Sequence, residues 1–122
     1  MLYDRLIVDL KQAEVAIDMN AYQVANDKLF HAQQIIMELV AALDETAWSG
    51  AAGLGQLYNY FYAELIEANV NKDLKPIRSC REMIEQLADA WQKAYDAMLA
   101  EQAAGSSSAS ALPTAPITSL RP

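Results

Sequence analysis

The strongest constraint on this chain is a repeat of apolar residues at alternating spacings of three and four through four successive stretches. At roughly 100° per residue this spacing stacks side chains along one face of an α-helix, whereas a strand requires alternation at every second residue. The stretches cover residues 1–18, 21–46, 54–70 and 74–104, and the short segments between them favour antiparallel neighbours. The sequence therefore predicts an all-α fold, an antiparallel up-down four-helix bundle, over residues 1–104. The predicted core seams are Leu2, Leu6, Leu10, Ala13 and Ile17; Tyr22, Ala25, Leu29, Ala32, Ile36, Leu39 and Leu43; Leu54, Tyr58, Phe61, Leu65 and Ala68; and Ile77, Cys80, Ile84, Leu87, Trp91, Ala94 and Met98.

Local signals mark the expected helix ends. Asn20 and Gln23 have the spacing of a capping box, which places the start of the second helix at about residue 21. The glycines within residues 48–53 predict an interhelical loop. Asp73 is a suitable N-cap for the last helix, and Pro76 is tolerated in its first turn, where backbone N–H groups have no intrahelical partner.

Residues 105–122 differ in composition from the rest of the chain. They consist mainly of Ser, Ala, Thr and Pro and carry one charge. Ordering a residue costs about 1–2 kcal/mol, and this segment has little apolar surface with which to offset that cost. We therefore expect a disordered C-terminal tail that follows a single domain of residues 1–104.

The charge balance argues against two classes of partner. The net charge is −7 and the pI is about 4.5, so nucleic-acid backbones and anionic membrane surfaces are unfavourable partners. The long uncharged runs 46–63 and 102–120 contain glycine and amide residues, or several Ser and Pro residues, and neither resembles a transmembrane helix. We expect neither nucleic-acid binding nor membrane insertion.

The cysteine content and the N-terminal residues indicate a cytoplasmic protein. Cys80 is the single cysteine, so an intrachain disulfide is impossible and a reducing compartment is favoured. The first turns contain Asp4, Arg5 and Asp9, which leaves no room for the apolar segment of a signal peptide.

The side chains needed for catalysis or metal binding are missing from the sequence. Ferritin-like di-iron bundles require Glu-x-x-His pairs. The single histidine is His31, and the residue three positions before it is Lys28, where the motif requires Glu. Cys80 lies on a predicted core seam without a histidine to activate it. The glycine-rich segment 50–55 follows a helix and lacks the lysine of a phosphate-binding loop. We expect no enzymatic activity, no catalytic residue, no metal and no cofactor.

The predicted helices carry more apolar surface than one seam can bury, which is typical of a binding protein. Tyrosines on such flanks commonly form interfaces with partner helices, and they also pack in cores. This surface could pack within the bundle, form a homodimer or bind another protein, and residue patterns alone leave these alternatives open. The candidate partner-binding residues are Tyr58, Tyr62, Ile66, Asn69, Phe30, Met37 and Val8.

Four segments resemble, in order, the flagellar secretion chaperone family FliS. The segment Leu54–Asp73, LGQLYNYFYAELIEANVNKD, contains the pattern LxxLYxYxYxxLxxANxxxD. MLYDRLI at Met1–Ile7, KLFHAQQIIMEL at Lys28–Leu39 and DAWQKA at Asp89–Ala94 are similar to the other helices of that family. The resemblance covers about residues 1–100.

The resemblance implies a function and two partners. Members of this family bind the C-terminal region of flagellin, prevent its premature polymerisation in the cytoplasm and assist its delivery to the flagellar type III export apparatus. Flagellin's terminal segments are amphipathic, so grooves between helices could cover their apolar faces and suppress assembly. The resemblance therefore implies a cytosolic chaperone without catalytic activity.

The N-terminus departs from the family pattern. Members of the family usually carry further residues before the MLYD-like stretch, including an arm that can lie across client-binding surface. The sequence predicts that the first helix is shortened and that this form is less stable or more prone to self-association. The competing interpretation is a structural or adaptor bundle that self-associates through its spare apolar faces.

Overall fold

The computed structural model describes residues 2–105, and these residues form four α-helices. The helices are α1 (Leu2–Asp18), α2 (Tyr22–Ala42), α3 (Ala51–Asn71) and α4 (Leu74–Gly105). The expected disorder of the tail concerns residues that, apart from Gly105, lie outside the described part of the chain.

The four helices pack in a ring in which each contacts the helices before and after it, and α4 closes on α1. The α1–α4 pair is antiparallel. Tyr3, near the start of α1, accepts a 3.0 Å hydrogen bond from Trp91 in the second half of α4. Glu14, near the end of α1, accepts a 3.3 Å hydrogen bond from Arg78 near the start of α4. The predicted four-helix bundle is confirmed.

The predicted seams supply most of the core. Toward the helix ends several seam residues are only half-buried, and Tyr22, the first residue of α2, is 49% exposed. Its seam assignment was therefore wrong: the Tyr22 side chain stays at the surface, where its hydroxyl donates to the side-chain carbonyl of Asn20 at 3.0 Å. The largest fully buried side chains are Phe61, Leu6, Leu10, Leu29, Ile35, Ile36, Leu65, Ile77, Ile84 and Cys80.

The turn between α1 and α2 corrects the predicted capping box. Asn20 adopts the left-handed conformation with φ 57°, and its N–H donates to the carbonyl of Ile17 at 3.0 Å. The N–H of Ala21 donates to the carbonyl of Ala16 at 2.7 Å, which completes a Schellman motif at the end of α1. Asn20 therefore terminates α1, and the N-cap of α2 is Ala21, which makes no side-chain capping bond.

Helix α2 ends at Ala42, earlier than the predicted Thr46. The carboxylate of Asp44 accepts hydrogen bonds from the backbone N–H of Thr46 at 3.0 Å and from its hydroxyl at 2.7 Å. This local turn competes with the helix for the same backbone groups. Leu43 is already extended, with φ −84° and ψ 125°.

Helix α3 begins at Ala51, earlier than the predicted Leu54, so the glycine-containing loop is shorter than expected. Gly50 is the N-cap of α3, and a side chain at this position would clash with Trp48. A Cβ at Gly50 would lie 2.1 Å from the ring of Trp48, which packs edge-to-face on Trp91 with ring centroids 6.1 Å apart. This aromatic pair links the α2–α3 loop to α4.

The turn between α3 and α4 follows the prediction. Lys72 closes α3 in the left-handed conformation with φ 51°, and the N–H of Asp73 donates to the carbonyl of Ala68 at 3.1 Å. The Asp73 carboxylate accepts a 3.1 Å hydrogen bond from the N–H of Lys75, as an N-cap does. The predicted cap is confirmed.

Two carboxylates on α1 that are not part of its predicted core seam are buried. Asp9 is 7% exposed and pairs with His31 on α2, and Glu14 is 8% exposed and pairs with Arg78 and Arg81 on α4. The Glu14 hydrogen bond raises the pKa of the Arg81 guanidinium. Each carboxylate therefore links α1 to one of its two neighbours.

Helix α4 is much longer than α1, with 32 residues against 17. Because Trp91 already meets Tyr3 near the start of α1, the last turns of α4 extend beyond the described part of α1. Tyr95 and Leu99 in those turns are 52% and 43% exposed.

Candidate partner-binding surface

Tyr58 lies in the core, which corrects its assignment to an exposed flank. Its side chain is 2% exposed, and its hydroxyl is hydrogen-bonded to the hydroxyl of Tyr3 at 2.7 Å. Tyr3 also accepts the indole N–H of Trp91, so α1, α3 and α4 are joined by one chain of polar groups. Burial and the bond to Tyr3 raise the pKa of the Tyr58 hydroxyl, which therefore stays protonated. Apolar periodicity predicts that Tyr58 lies on a core seam. Its hydrogen-bond partner, Tyr3, is 55 residues away in the sequence, so no local pattern predicts the bond.

The outer sides of α2 and α3 form the surface on which most of the other candidates converge. The amide of Asn69 on α3 donates a 2.8 Å hydrogen bond to the side-chain carbonyl of Asn26 on α2. At the other end, a Cβ on Gly55 of α3 would lie 3.3 Å from Leu43, just after α2. These two contacts fix an antiparallel register between the helices.

This register brings five of the seven candidate residues together. Phe30 lies one turn beyond Asn26, and Ile66 lies about one turn before Asn69, so the two side chains are at the same level. Tyr62 lies at a level between those of Phe30 and Met37. We call this surface the α2–α3 face and define it by Phe30, Met37, Tyr62, Ile66 and Asn69.

The α2–α3 face is apolar and partly exposed. Phe30 is 56% exposed, Met37 47% and Ile66 41%, whereas Tyr62 and Asn69 are half-buried. The other residues that helical spacing places on this side are also uncharged, apart from Asp27 one turn before Phe30, although 20% of the chain is charged. They are Asn26, Gln33, Gln34 and Ala41 on α2, and Asn59, Ala63 and Val70 on α3.

Charged side chains stand near both ends of this face. Lys72 donates from its ammonium group to the side-chain carbonyl of Asn69 at 2.8 Å and to the backbone carbonyl of Asn69 at 2.5 Å. A carboxylate oxygen of Glu45 lies 2.6 Å from the position that a Cβ on Gly55 would occupy. A positive charge thus marks the Asn69 end, and a negative charge marks the Gly55 end.

Val8 lies on a different surface. It is 49% exposed on the side of α1 that faces away from the core, together with Val15 at 57% and Met19 at 72%. These three residues form an exposed apolar line on α1 and just beyond its end.

The structure also shows exposed apolar side chains that were not among the candidates, including Val24 at 48%, Val70 at 78%, Tyr95 and Leu99. Val24 lies in the first turn of α2 and Val70 in the last turn of α3, and the predicted apolar lines did not include them. Tyr95 and Leu99 lie beside the predicted α4 seam, which continues through Ala94 and Met98, and the seam pattern did not select them.

The described residues show no arrangement suited to covalent or metal chemistry. Cys80 is 1% exposed, and burial, together with the nearby charge of Glu64, raises the pKa of its thiol to about 12. Within residues 2–105, His, Cys, Asp and Glu side chains are nowhere grouped in threes that could hold a metal ion. No helix in this part of the chain has both the length and the apolarity needed to cross a membrane.

An acidic helical bundle with an uncharged apolar face between two helices agrees with the comparisons to known proteins. The family model described as flagellar protein FliS matches residues 1–98. The flagellar secretion chaperone FliS of Bacillus subtilis (strain 168) is 30% identical over 94 residues, which are 77% of this chain and 70% of that protein. Since the family match extends through all four helices, from the first residue of the chain well into α4, the chain belongs to the FliS family of flagellar secretion chaperones.

Proposed function

We propose that this chain is a cytoplasmic export chaperone that binds the C-terminal region of flagellin. In this proposal it prevents premature polymerisation of flagellin and assists its delivery to the flagellar type III export apparatus. The proposal rests on family membership and on one observation, the absence of charged side chains across the α2–α3 face. The centres of protein interfaces are depleted of charge in the same way.

The α2–α3 face offers apolar side chains to an amphipathic helix. They come from two adjacent antiparallel helices and stand on both sides of the line along which those helices meet. A client helix can insert one apolar stripe between them, as in other helix-in-groove complexes. Covering that stripe would keep the client from pairing with other copies of itself, which is how a polymerising protein is kept soluble.

The exposed apolar area of the α2–α3 face limits the binding free energy that this face can contribute. Fully burying one large apolar side chain is worth about 1.5–3 kcal/mol, and Phe30, Met37 and Ile66 are already about half-buried. Together they supply about 3–4 kcal/mol, whereas a micromolar complex requires about 8 kcal/mol after all costs. The client must therefore contact further surface, and the exposed line of Val8, Val15 and Met19 is the second binding region that we propose.

The binding function requires no catalytic group. Release and delivery of a client need a reversible complex, and a segment that orders on binding loses part of its binding energy to that ordering. We therefore propose a chaperone that works by binding alone, without metal or cofactor.

The proposal is tested by flagellin polymerisation in vitro, followed by light scattering with and without the chaperone. We expect the unaltered chain to delay polymerisation at stoichiometric amounts and Ile66→Ala to weaken that effect. Tyr60→Ala is the matched control, because Tyr60 is exposed to a similar extent, at 47% against 41%, but lies about 120° around α3 from Ile66 and off the α2–α3 face. Equal activity of both variants and the unaltered chain would exclude the α2–α3 face. No delay by any form would contradict the proposed function.

A further inference from the structure

One tryptophan in the loop between α2 and α3 has a polar group without a partner. Within residues 2–105 the indole N–H of Trp48 meets no hydrogen-bond acceptor, although its nitrogen is buried. A buried N–H in this state is unfavourable, because its lost hydrogen bond to water is not replaced. The neighbouring indole of Trp91 is satisfied, since it donates to the Tyr3 hydroxyl at 3.0 Å. Trp48 therefore lacks an acceptor that Trp91 has.

Exposed apolar side chains lie next to this tryptophan pair. Tyr95 follows Trp91 by four residues and Leu99 follows Tyr95 by four, so the three side chains are neighbours along α4. Tyr95 is 52% exposed and Leu99 43%, while Trp48 and Trp91 are half-buried. Because Trp91 already meets Tyr3 near the start of α1, Tyr95 and Leu99 lie beyond the described residues of α1. We call Trp48, Trp91, Tyr95 and Leu99 the aromatic patch.

A segment of the same chain has the chemistry that this patch needs. Residues 112–117 read LPTAPI, in which Pro113 and Pro116 have the PxxP spacing that favours a polyproline II helix. In that conformation the backbone carbonyls make no internal hydrogen bonds, so they can accept one from an indole N–H. Pro-rich segments bind aromatic-lined surfaces in this way, and the fixed φ angles of proline lower the cost of ordering them.

This segment can reach the patch from the end of α4. Along α4 the distance from Gly105 back to Trp91 is about 21 Å, at about 1.5 Å per residue. The chain from Gly105 to Pro113 can span about 26 Å, at about 3.3 Å per residue. A tether of this length gives an effective concentration in the millimolar range, so an intrinsic affinity of about 1 mM docks the segment about half of the time.

We propose that residues 112–117 dock on the aromatic patch of their own chain as a polyproline II segment. The prolines pack against the aromatic rings, and one backbone carbonyl accepts the indole N–H of Trp48. Because that nitrogen is buried while part of the side chain is exposed, docking includes a rotation of the indole toward the segment. The inference concerns six residues of the tail and a surface outside the α2–α3 face, and it is independent of the proposed function.

A nitroxide in the segment tests the contact in the full chain. Ala115→Cys supplies the attachment site, and Cys80 stays unlabelled under native conditions because it is buried. We expect the nitroxide to broaden the indole resonance of Trp48 and the amide resonance of Tyr95. The amide resonance of Asn69, near the far end of α3, should keep its width.

Proline variants separate docking from the simple proximity of a tethered segment. Pro113→Gly with Pro116→Gly should reduce the broadening of the Trp48 indole about twofold, because the docked half of the population is lost. Ser107→Gly with Ser119→Gly is the matched control, since it adds the same two glycines outside the PxxP segment and should leave the broadening unchanged. Equal broadening in the two variants would overturn the inference.

The two indole resonances provide a second readout without any label. In the proline variant the Trp48 resonance should move, whereas the Trp91 resonance should stay in place because its bond to Tyr3 is kept. A Trp48 resonance that does not move would overturn the inference. A mixture of isotope-labelled unaltered chain with nitroxide-labelled chain tests for a second copy as the occupant. Broadening of Trp48 in that mixture would assign the segment to a neighbouring molecule and overturn docking within one chain.

Discussion

The hydrogen-bonded chain from Trp91 through Tyr3 to Tyr58 predicts an ordered series of stability losses. Tyr58→Phe removes one hydroxyl, while Tyr3 keeps the indole N–H of Trp91 at 3.0 Å. A buried hydrogen bond contributes about 1 kcal/mol net, so we expect the free energy of unfolding to fall by about 1 kcal/mol. Tyr3→Phe removes the central hydroxyl and leaves two polar groups without their partner. Each such group costs about 1–3 kcal/mol when buried, and we expect a total loss of about 2–4 kcal/mol.

The double variant, with both Tyr3→Phe and Tyr58→Phe, distinguishes a connected chain of hydrogen bonds from two independent hydrogen bonds. Once Tyr3 is Phe, the Tyr58 hydroxyl has lost its partner, and removing it costs little or restores stability. The two substitutions should therefore be non-additive by about 1 kcal/mol or more. Urea unfolding, followed by far-UV circular dichroism and tryptophan fluorescence, measures all four proteins. Equal losses for the single variants, or an additive double variant, would refute the proposed chain of hydrogen bonds.

Tyr58→Phe also tests whether Tyr58 belongs to the core or to the client-binding surface. Because Tyr58 is 2% exposed, Tyr58→Phe should leave the affinity for flagellin unchanged. A loss of affinity at unaltered stability would contradict its position in the core.

The remaining predictions concern two glycines at the N-terminal end of α3 and the single thiol. Gly53→Ala should raise the free energy of unfolding by about 0.5–1 kcal/mol, because no atom lies within 4 Å of the added Cβ and the unfolded chain becomes less flexible. Gly50→Ala should instead lower it by about 1–3 kcal/mol, because the Cβ would displace Trp48 from Trp91; thermal unfolding with changes of the same sign would contradict this. Cys80 should resist a disulfide reagent at pH 8 in the folded protein and react fully in urea, and rapid reaction under native conditions would show that it is accessible. Since burial raises the pKa of Cys80 from 9.0 to about 12, the unfolded thiol ionises first, and stability should decline between about pH 9 and 12, by an amount that Cys80→Ala removes.

Apolar periodicity was sufficient to predict the architecture. The spacing of Leu6, Leu29, Phe61 and Ile84 determines which side of each helix is buried, and all four are at most 1% exposed. Short turns then leave few ways to arrange four such helices. Local backbone chemistry was less predictable, because Asn20 and Asp44 can each cap a helix or close a turn, and the choice depends on the neighbouring structure.

The candidate surface was predictable only in part. Helical spacing identified Phe30 and Ile66 as residues beside the seams, but their convergence depends on the register set by Asn26 and Asn69. The burial of Tyr58 likewise depends on Tyr3, which belongs to another helix. Periodicity assigns a residue to a side of one helix, and only packing shows whether another helix covers that side.

Isothermal titration of this chain with the C-terminal segment of flagellin tests the central claim most directly. We expect saturable binding with a negative heat-capacity change, since apolar surface is buried. Phe30→Ala should weaken the affinity about thirtyfold, equivalent to about 2 kcal/mol. Tyr60→Ala, an aromatic side chain that is 47% exposed and lies about 120° around α3 from Ile66, should change it less than about threefold. Absence of binding, or equal losses for the two variants, would contradict the assignment of the α2–α3 face as the flagellin-binding surface.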